Sequence, residues 1–145
     1  MKLSYEAKLV SGIMLLLIPT IMYGGITLLG ILTESGAGLA PGELSLNETQ
    51  WALWRAGHAH AGVWVILALI MQVLIDSTKM STVSMWIARV SAPLAAVTVS
   101  GGFFGLAFFP GFQWLLYFGA LCLILSLVLT GIGLLKNLNP SKSKA

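Results

Sequence analysis

Long apolar runs dominate the chain, and short polar stretches separate them. Four runs reach about 20 mostly apolar residues, the length that an α-helix needs to cross a hydrocarbon core of ~30 Å. They predict helices over residues 8–32, 51–75, 86–109 and 112–135. Backbone groups in lipid must be paired internally, and none of the runs alternates apolar with polar residues. The segments therefore predict helices rather than the strands of a barrel.

Polar connections lie between the four apolar segments. The longest covers residues 33–50, is rich in glycine and carries three glutamates. It ends in the sequence SLNE at residues 45–48, which has the form of a capping box and predicts the start of the second helix. A Phe-Pro-Gly sequence joins the last two helices almost directly. The pattern therefore predicts one all-α domain over residues 1–145, an integral membrane four-helix bundle.

Composition supports a location in the lipid bilayer. The chain is 57% hydrophobic and only 9% charged, whereas soluble domains average roughly 45–50% apolar and about 25% charged residues. The net charge of +3 does not indicate nucleic-acid binding, because the lysines lie mainly near the chain ends. The first apolar run lacks a clean cleavage site of small residues, so we expect a retained helix rather than a signal peptide.

The basic residues predict the orientation, because cytoplasmic connections carry an excess of lysine and arginine. Seven of the eight basic residues fall on one side if both termini are cytoplasmic. Those seven are Lys2, Lys8, Lys79, Arg89, Lys136, Lys142 and Lys144. Only Arg55 falls on the other side. We therefore expect both termini in the cytoplasm and an outward-facing connection at residues 33–50.

Small residues cluster in the second and third predicted helices, where they allow helix backbones to approach closely. Two interpretations are open, namely tight packing within one bundle and an interface between subunits. The residues concerned are Gly57, Ala61, Gly62, Ala88, Ala92, Ala95, Ala96, Gly101 and Gly105.

The second predicted helix carries both histidines of the chain and an arginine, in the sequence WALWRAGHAHAGV. With a rise of about 1.5 Å per residue, Arg55 lies roughly 6 Å below Trp51, His58 roughly 10 Å and His60 roughly 13 Å. Ionisable groups at such depths are costly and usually mark function. These three residues are therefore the candidate functional residues.

The spacing of the candidates sets what they can bind. Arg55 and His58 are three residues apart and share a helix face. His58 and His60 differ by about 200° and point to nearly opposite sides, so a regular helix cannot direct both at one metal ion. No cysteine or carboxylate cluster stands beside them to complete a zinc site.

Haem suits an imidazole in an apolar slot with an arginine nearer the surface. Its iron takes a neutral imidazole as axial ligand, its macrocycle needs an apolar cleft, and its anionic propionates favour an arginine. The residues expected to wall such a slot are Phe103, Phe104, Phe108 and Phe109, with Met22 and Tyr23 as further candidates.

The sequence RAGHAHAGVWVILALI, residues 55–70, resembles the second transmembrane helix of haem-copper oxidase catalytic subunits and their nitric-oxide-reductase relatives. It is also similar to small four-helix bacterial proteins described as oxidase-like. The resemblance implies a bacterial inner-membrane protein in which His58 or His60 is an axial ligand of haem b and Arg55 is a nearby cation. Family subunits contain three four-helix units, so it also implies a homo-oligomer in which three copies rebuild that ring.

The chain departs from that family outside this helix. It has no further histidine, so the copper ligands and the high-spin haem ligand have no counterpart. The resemblance therefore implies a haem that carries electrons or senses a gas, and no site for reducing oxygen or nitric oxide.

Two other functions compete with haem binding. A cofactor-free scaffold or accessory subunit predicts that Arg55 pairs with an acid such as Glu48 and that both histidines form hydrogen bonds across helices. A proton or metal pathway would use the histidines as relays, although the other helices carry no matching polar residues at mid-membrane. The sequence gives no support for hydrolytic chemistry, because it shows no nucleophile with a base and no carboxylate pair.

Two charged residues near the inner side receive simpler interpretations. We expect Asp76 to be a solvated group at the end of the second helix. Arg89, in the third helix, is interpreted as an anchor of the membrane orientation.

Overall fold

The described part of the chain is entirely helical. A computed structural model describes residues 2–33, 46–136 and 138. The helices are α1 (Tyr5–Thr33), α2 (Glu48–Asp76), α3 (Thr82–Leu106) and α4 (Gln113–Lys136), with a 3-10 turn at Pro110–Phe112 before α4. All four are long and apolar enough to cross a membrane. The predicted number and type of elements are therefore confirmed over these residues, whereas most of the connection at 33–50, and Lys142 and Lys144, lie outside them.

The capping box at the start of α2 differs from the predicted one. Asn47 is the N-cap, its side chain accepts a hydrogen bond from the backbone of Gln50 at 2.9 Å, and the Gln50 side chain accepts one from the backbone of Asn47 at 3.0 Å. The box is therefore the sequence NETQ, two residues after the predicted SLNE, whose Ser45 lies outside the described residues. Gln50 also donates a hydrogen bond to the carbonyl of Ala107, which ties α2 to the end of α3.

Replacing Asn47 with alanine is expected to destabilise the bundle by about 1 kcal/mol, because the Gln50 backbone N–H loses its acceptor. Equilibrium unfolding in detergent, followed by circular dichroism, measures the change. Thr49→Ala, an exposed substitution two residues away, is the control and should stay within about 0.5 kcal/mol of the parent. Equal effects of the two substitutions would contradict a role for the cap.

The end of α3 also departs from the prediction, which continued the helix to Phe109. The helix ends at Leu106, and Phe109 is extended, with φ −134° and ψ 114°. Phe109 precedes Pro110, and the proline ring disfavours the helical conformation of the residue before it. The chain then reverses through the 3-10 turn and enters α4.

The helices differ in how deeply they are packed. Each helix contains an 18-residue apolar stretch long enough to span a membrane. In α3, 56% of this stretch is buried inside the bundle, whereas in α1 only 6% is buried. The central helix α3 packs along both α2 and α4, whereas α1 packs mainly on α2. The buried apolar core consists of Met14, Val65, Ala68, Met71, Ile75, Ala88, Ala92 and Ala96. α1 is therefore a peripheral helix with a long seam against α2.

The small residues of α3 pack within this chain. Ala88, Ala92, Ala95 and Ala96 are all buried. Gly105 lies directly against Phe112 of the following segment, and a Cβ atom at Gly101 would be 3.9 Å from the side chain of Leu115. The structure therefore favours packing within one bundle over a subunit interface for this set of residues. Gly62 of α2 is different, because a side chain added there would meet open space.

A buried polar network holds the end of the bundle at which α1 begins and α4 ends, called here the terminal end. Asp76 of α2 forms an ion pair with Arg89 of α3, and their side chains are 7% and 4% exposed. Arg89 also donates to the side chain of Gln72 at 3.2 Å. Ser4 donates its backbone N–H and its hydroxyl to Asp76, at 2.7 and 2.9 Å.

This network corrects two expectations. Asp76 is not solvated, and Arg89 is more than an orientation anchor, because each is the buried partner of the other. Since Ser4 comes directly before α1, the network also attaches the start of the peripheral helix to α2 and α3. The opposite end of the bundle, at which α2 begins, is called here the histidine end.

Candidate functional site

His58 lies in the seam between α1 and α2. Its imidazole is half-buried, and its Cε1 and Nε2 atoms would each be 3.0 Å from a Cβ atom at Gly25. The absence of a side chain at Gly25 therefore allows the edge of the ring to pack against the backbone of α1.

A cavity of about 550 Å³ opens beside His58, between α1, α2 and the last turn of α3. It is called here the His58 groove, and its volume falls within the ~300–1,000 Å³ of small-molecule sites. Its lining residues are Thr20, Tyr23, Gly24, Thr27, Leu28, Trp54, His58, Phe104, Gly105 and Phe108.

The His58 groove contains polar groups that lack partners. The Thr27 hydroxyl and the Trp54 indole N–H are buried and have no hydrogen-bond partner. His58 makes no hydrogen bond to any residue in the described ranges. Buried polar groups in proteins are nearly always hydrogen-bonded. Two such groups and a half-buried imidazole lining one cavity therefore fit a ligand with complementary polar atoms.

A second cavity of about 240 Å³ shares His58 with the first and is called here the apolar groove. It follows the same seam away from the histidine end. Its lining residues are Ile18, Ile21, Met22, His58, Gly62, Val65 and Ile66. The two grooves therefore meet at one imidazole, and apart from His58 the second is lined by apolar residues and glycine.

His60 lies on the other side of α2. Its Nδ1 atom is 2.7 Å from the carbonyl oxygen of Ala56, and its ring centroid is 4.7 Å from that of Phe103 in α3. A carbonyl can only accept, so Nδ1 carries the proton and Nε2 of the neutral ring carries the lone pair. The two histidines therefore lie on different sides of α2, with His58 against α1 and His60 against α3.

Arg55 is exposed and does not line either groove. Within the described residues it forms no ion pair, with Glu48 or with any other acid. The structure therefore brings His58 to a cavity without bringing Arg55 to the same cavity.

The predicted aromatic wall is only partly assembled around His58. Phe104 and Phe108 line the His58 groove together with Tyr23. Phe103 instead contacts His60, and Phe109 packs against Phe112 in the turn. Met22 lines the apolar groove.

Sequence reasoning missed three residues of this site. Trp54, Thr27 and Gly25 contribute two unpartnered polar groups and the close approach of α1. A signal existed for Trp54, which precedes His58 by four residues and so shares its face. Thr27 and Gly25 carried no comparable signal, because their position depends on how α1 docks.

Within the described ranges, no group of three His, Cys, Asp or Glu residues could hold a metal ion. Haem needs fewer protein ligands than a bare metal ion, because the macrocycle supplies four ligands and the protein one or two.

No protein-family model matches the chain, and neither a curated protein nor a solved structure matches it.

Proposed function

We propose that the chain is a multi-pass membrane protein of the bacterial inner membrane that binds haem b through a histidine of α2. Four helices of sufficient length and apolarity support the membrane location. The lysines at positions 2, 8, 79 and 136 belong to the terminal end, and Arg55 to the histidine end. By the positive-inside rule, this distribution supports cytoplasmic termini.

The observation that carries the haem proposal is the hydrogen bond from His60 Nδ1 to the carbonyl oxygen of Ala56. Histidines that bind metals commonly donate their other ring N–H to a carbonyl or carboxylate, which fixes the tautomer and the ring orientation. His60 has this arrangement, because its Nδ1 donates to Ala56 and its Nε2 has no partner in the described chain. The contact with Phe103 also holds the ring. His60 is therefore the proposed axial ligand.

His58 fits haem less well. Its Cε1–Nε2 edge packs against Gly25, so an iron atom on Nε2 would require α1 to move away from α2. It remains the second candidate. Arg55 shares the face of His58, is exposed and has no ion pair in the described chain, so it is the proposed cation for the propionates of a haem held by His58.

The His60 site needs a second wall. His60 is half-exposed, and the adjacent Ala59 is an exposed small residue along which a flat ring can lie. We propose that a second copy of the chain supplies the other wall, and that the sixth ligand comes from that copy or from a Met or Tyr. Bound haem would supply one-electron transfer or gas binding.

A cofactor-free scaffold receives less support. That function predicted an Arg55–Glu48 ion pair and hydrogen bonds from both histidines to other helices. Within the described residues Arg55 has no ion pair, and the hydrogen bond of His60 stays inside α2.

The test is the absorption spectrum of the protein purified in detergent after haem supply, oxidised and then reduced with dithionite. We expect a Soret band with sharp α and β bands, retained in His58→Gln and lost in His60→Gln. A colourless parent protein would refute haem binding. Loss of the bands in His58→Gln alone would move the ligand to the His58 groove.

A further inference from the structure

The two grooves that meet at His58 have opposite chemical character. The His58 groove offers a threonine hydroxyl, an indole N–H and an imidazole, all without hydrogen-bond partners in the described chain. The apolar groove offers otherwise only apolar side chains and Gly62. A single ligand that fills both must therefore have a polar head and an apolar tail.

The polar groups of the His58 groove favour a ligand head that carries hydrogen-bond acceptors. The Trp54 indole N–H can only donate, and the Thr27 hydroxyl and a neutral imidazole can each donate as well. Oxygen atoms of carbonyl groups are the matching acceptors.

Aromatic rings line the groove beside these donors, which favours a ligand with a planar head group. The Trp54 ring lies edge-to-face with Phe104 and with Phe108, at centroid distances of 5.8 and 6.1 Å. All three side chains line the His58 groove. A planar ring can pack against such a wall with its oxygen atoms directed at the donors.

The head should also be neutral. No lysine or arginine lines either groove, so a phosphate group would find no cation. This argues against the head group of a phospholipid, which would otherwise share the amphiphilic character.

We propose that the two grooves form a binding site for an isoprenoid quinone, with the ring in the His58 groove and the tail in the apolar groove along the α1–α2 seam. The peripheral position of α1 leaves this seam at the surface of the bundle, where a ligand dissolved in the bilayer can enter. The site uses neither His60 nor haem.

The test measures binding of radiolabelled decylubiquinone to the haem-free protein in phosphatidylcholine nanodiscs, with empty nanodiscs as background. We expect saturable binding that Thr27→Val weakens about fivefold, since it removes one hydrogen bond while preserving the shape of the side chain. His58→Phe, which keeps a flat ring without nitrogens, should weaken binding at least as much.

A matched control is available in Thr130→Val. The hydroxyl of Thr130 is also buried and unpartnered, but it lies in α4 and lines neither groove. Both valine variants should fold as well as the parent, because each removes an unsatisfied buried hydroxyl. Only Thr27→Val should lose affinity.

Three outcomes would overturn the proposal. These are no saturable binding, equal affinity in Thr27→Val and Thr130→Val, and equally effective competition by decylbenzene, which carries the tail and the ring without oxygen atoms. Haem plays no part in the assay, so a colourless protein that binds the quinone rejects only the haem proposal.

Discussion

Replacing Arg89 with leucine is expected to destabilise the bundle by about 3–5 kcal/mol, because it leaves the carboxylate of Asp76 buried without its counter-charge. Both side chains are more than nine-tenths buried in the structure. The substitution also removes the hydrogen bonds from Arg89 to Gln72 and Ser4. Equilibrium unfolding in mixed detergent micelles, followed by circular dichroism, measures the loss.

Two further variants isolate the buried pair. Lys79→Leu removes an exposed positive charge at the same end and should change stability by no more than about 0.5 kcal/mol. Arg89→Leu combined with Asp76→Leu should recover much of the loss, since replacing both members of a buried pair with apolar residues is often nearly neutral. If Arg89→Leu behaved like Lys79→Leu, the pair would be contributing nothing to the fold.

The same network shows where sequence reasoning reached its limit. Asp76 and Arg89 flank a short polar connection, so on sequence alone their charges fit solvated groups at a membrane surface. Their burial depends on Ser4, which is 72 residues away from Asp76. A contact at that separation exists only after α1 has docked.

The helices themselves were predictable for a simple physical reason. A run of about 20 apolar residues has few alternatives to a helix once backbone pairing is required. The boundaries were less predictable, because polar capping residues extend the helices beyond the apolar runs. Capped by Asn47, α2 begins at Glu48, three residues before the predicted start at Trp51.

The candidate site was predictable in part. Both histidines stood out as ionisable residues in an apolar run, and the 200° between them follows from helix geometry. The contents of the His58 groove were not predictable, because a helix that is apolar on all sides does not reveal which face will pack. Gly25 and Thr27 lie in such a helix, and only docking of α1 places them beside His58.

Replacing Gly119 with leucine is expected to destabilise the bundle by about 3 kcal/mol, because the α3–α4 interface has no room for a side chain at this position. A Cβ atom there would lie 2.5 Å from the hydroxyl of Thr98 and 3.0 Å from the backbone nitrogen of Val99. The Thr98 hydroxyl is held by a hydrogen bond to the carbonyl of Leu94. Neither group can yield easily, so the helices must separate.

Gly131→Leu is the matched control, because Gly131 lies in the same helix and a Cβ atom there meets nothing within 4 Å. Unfolding midpoints in detergent should fall for Gly119→Leu and stay the same or rise for Gly131→Leu, since glycine is a poor helix former. Equal midpoints would mean that α3 and α4 are not packed as described. Because α3 also carries Phe104 and Gly105 into the lining of the His58 groove, a shift of α3 should weaken quinone binding in Gly119→Leu while Gly131→Leu binds like the parent.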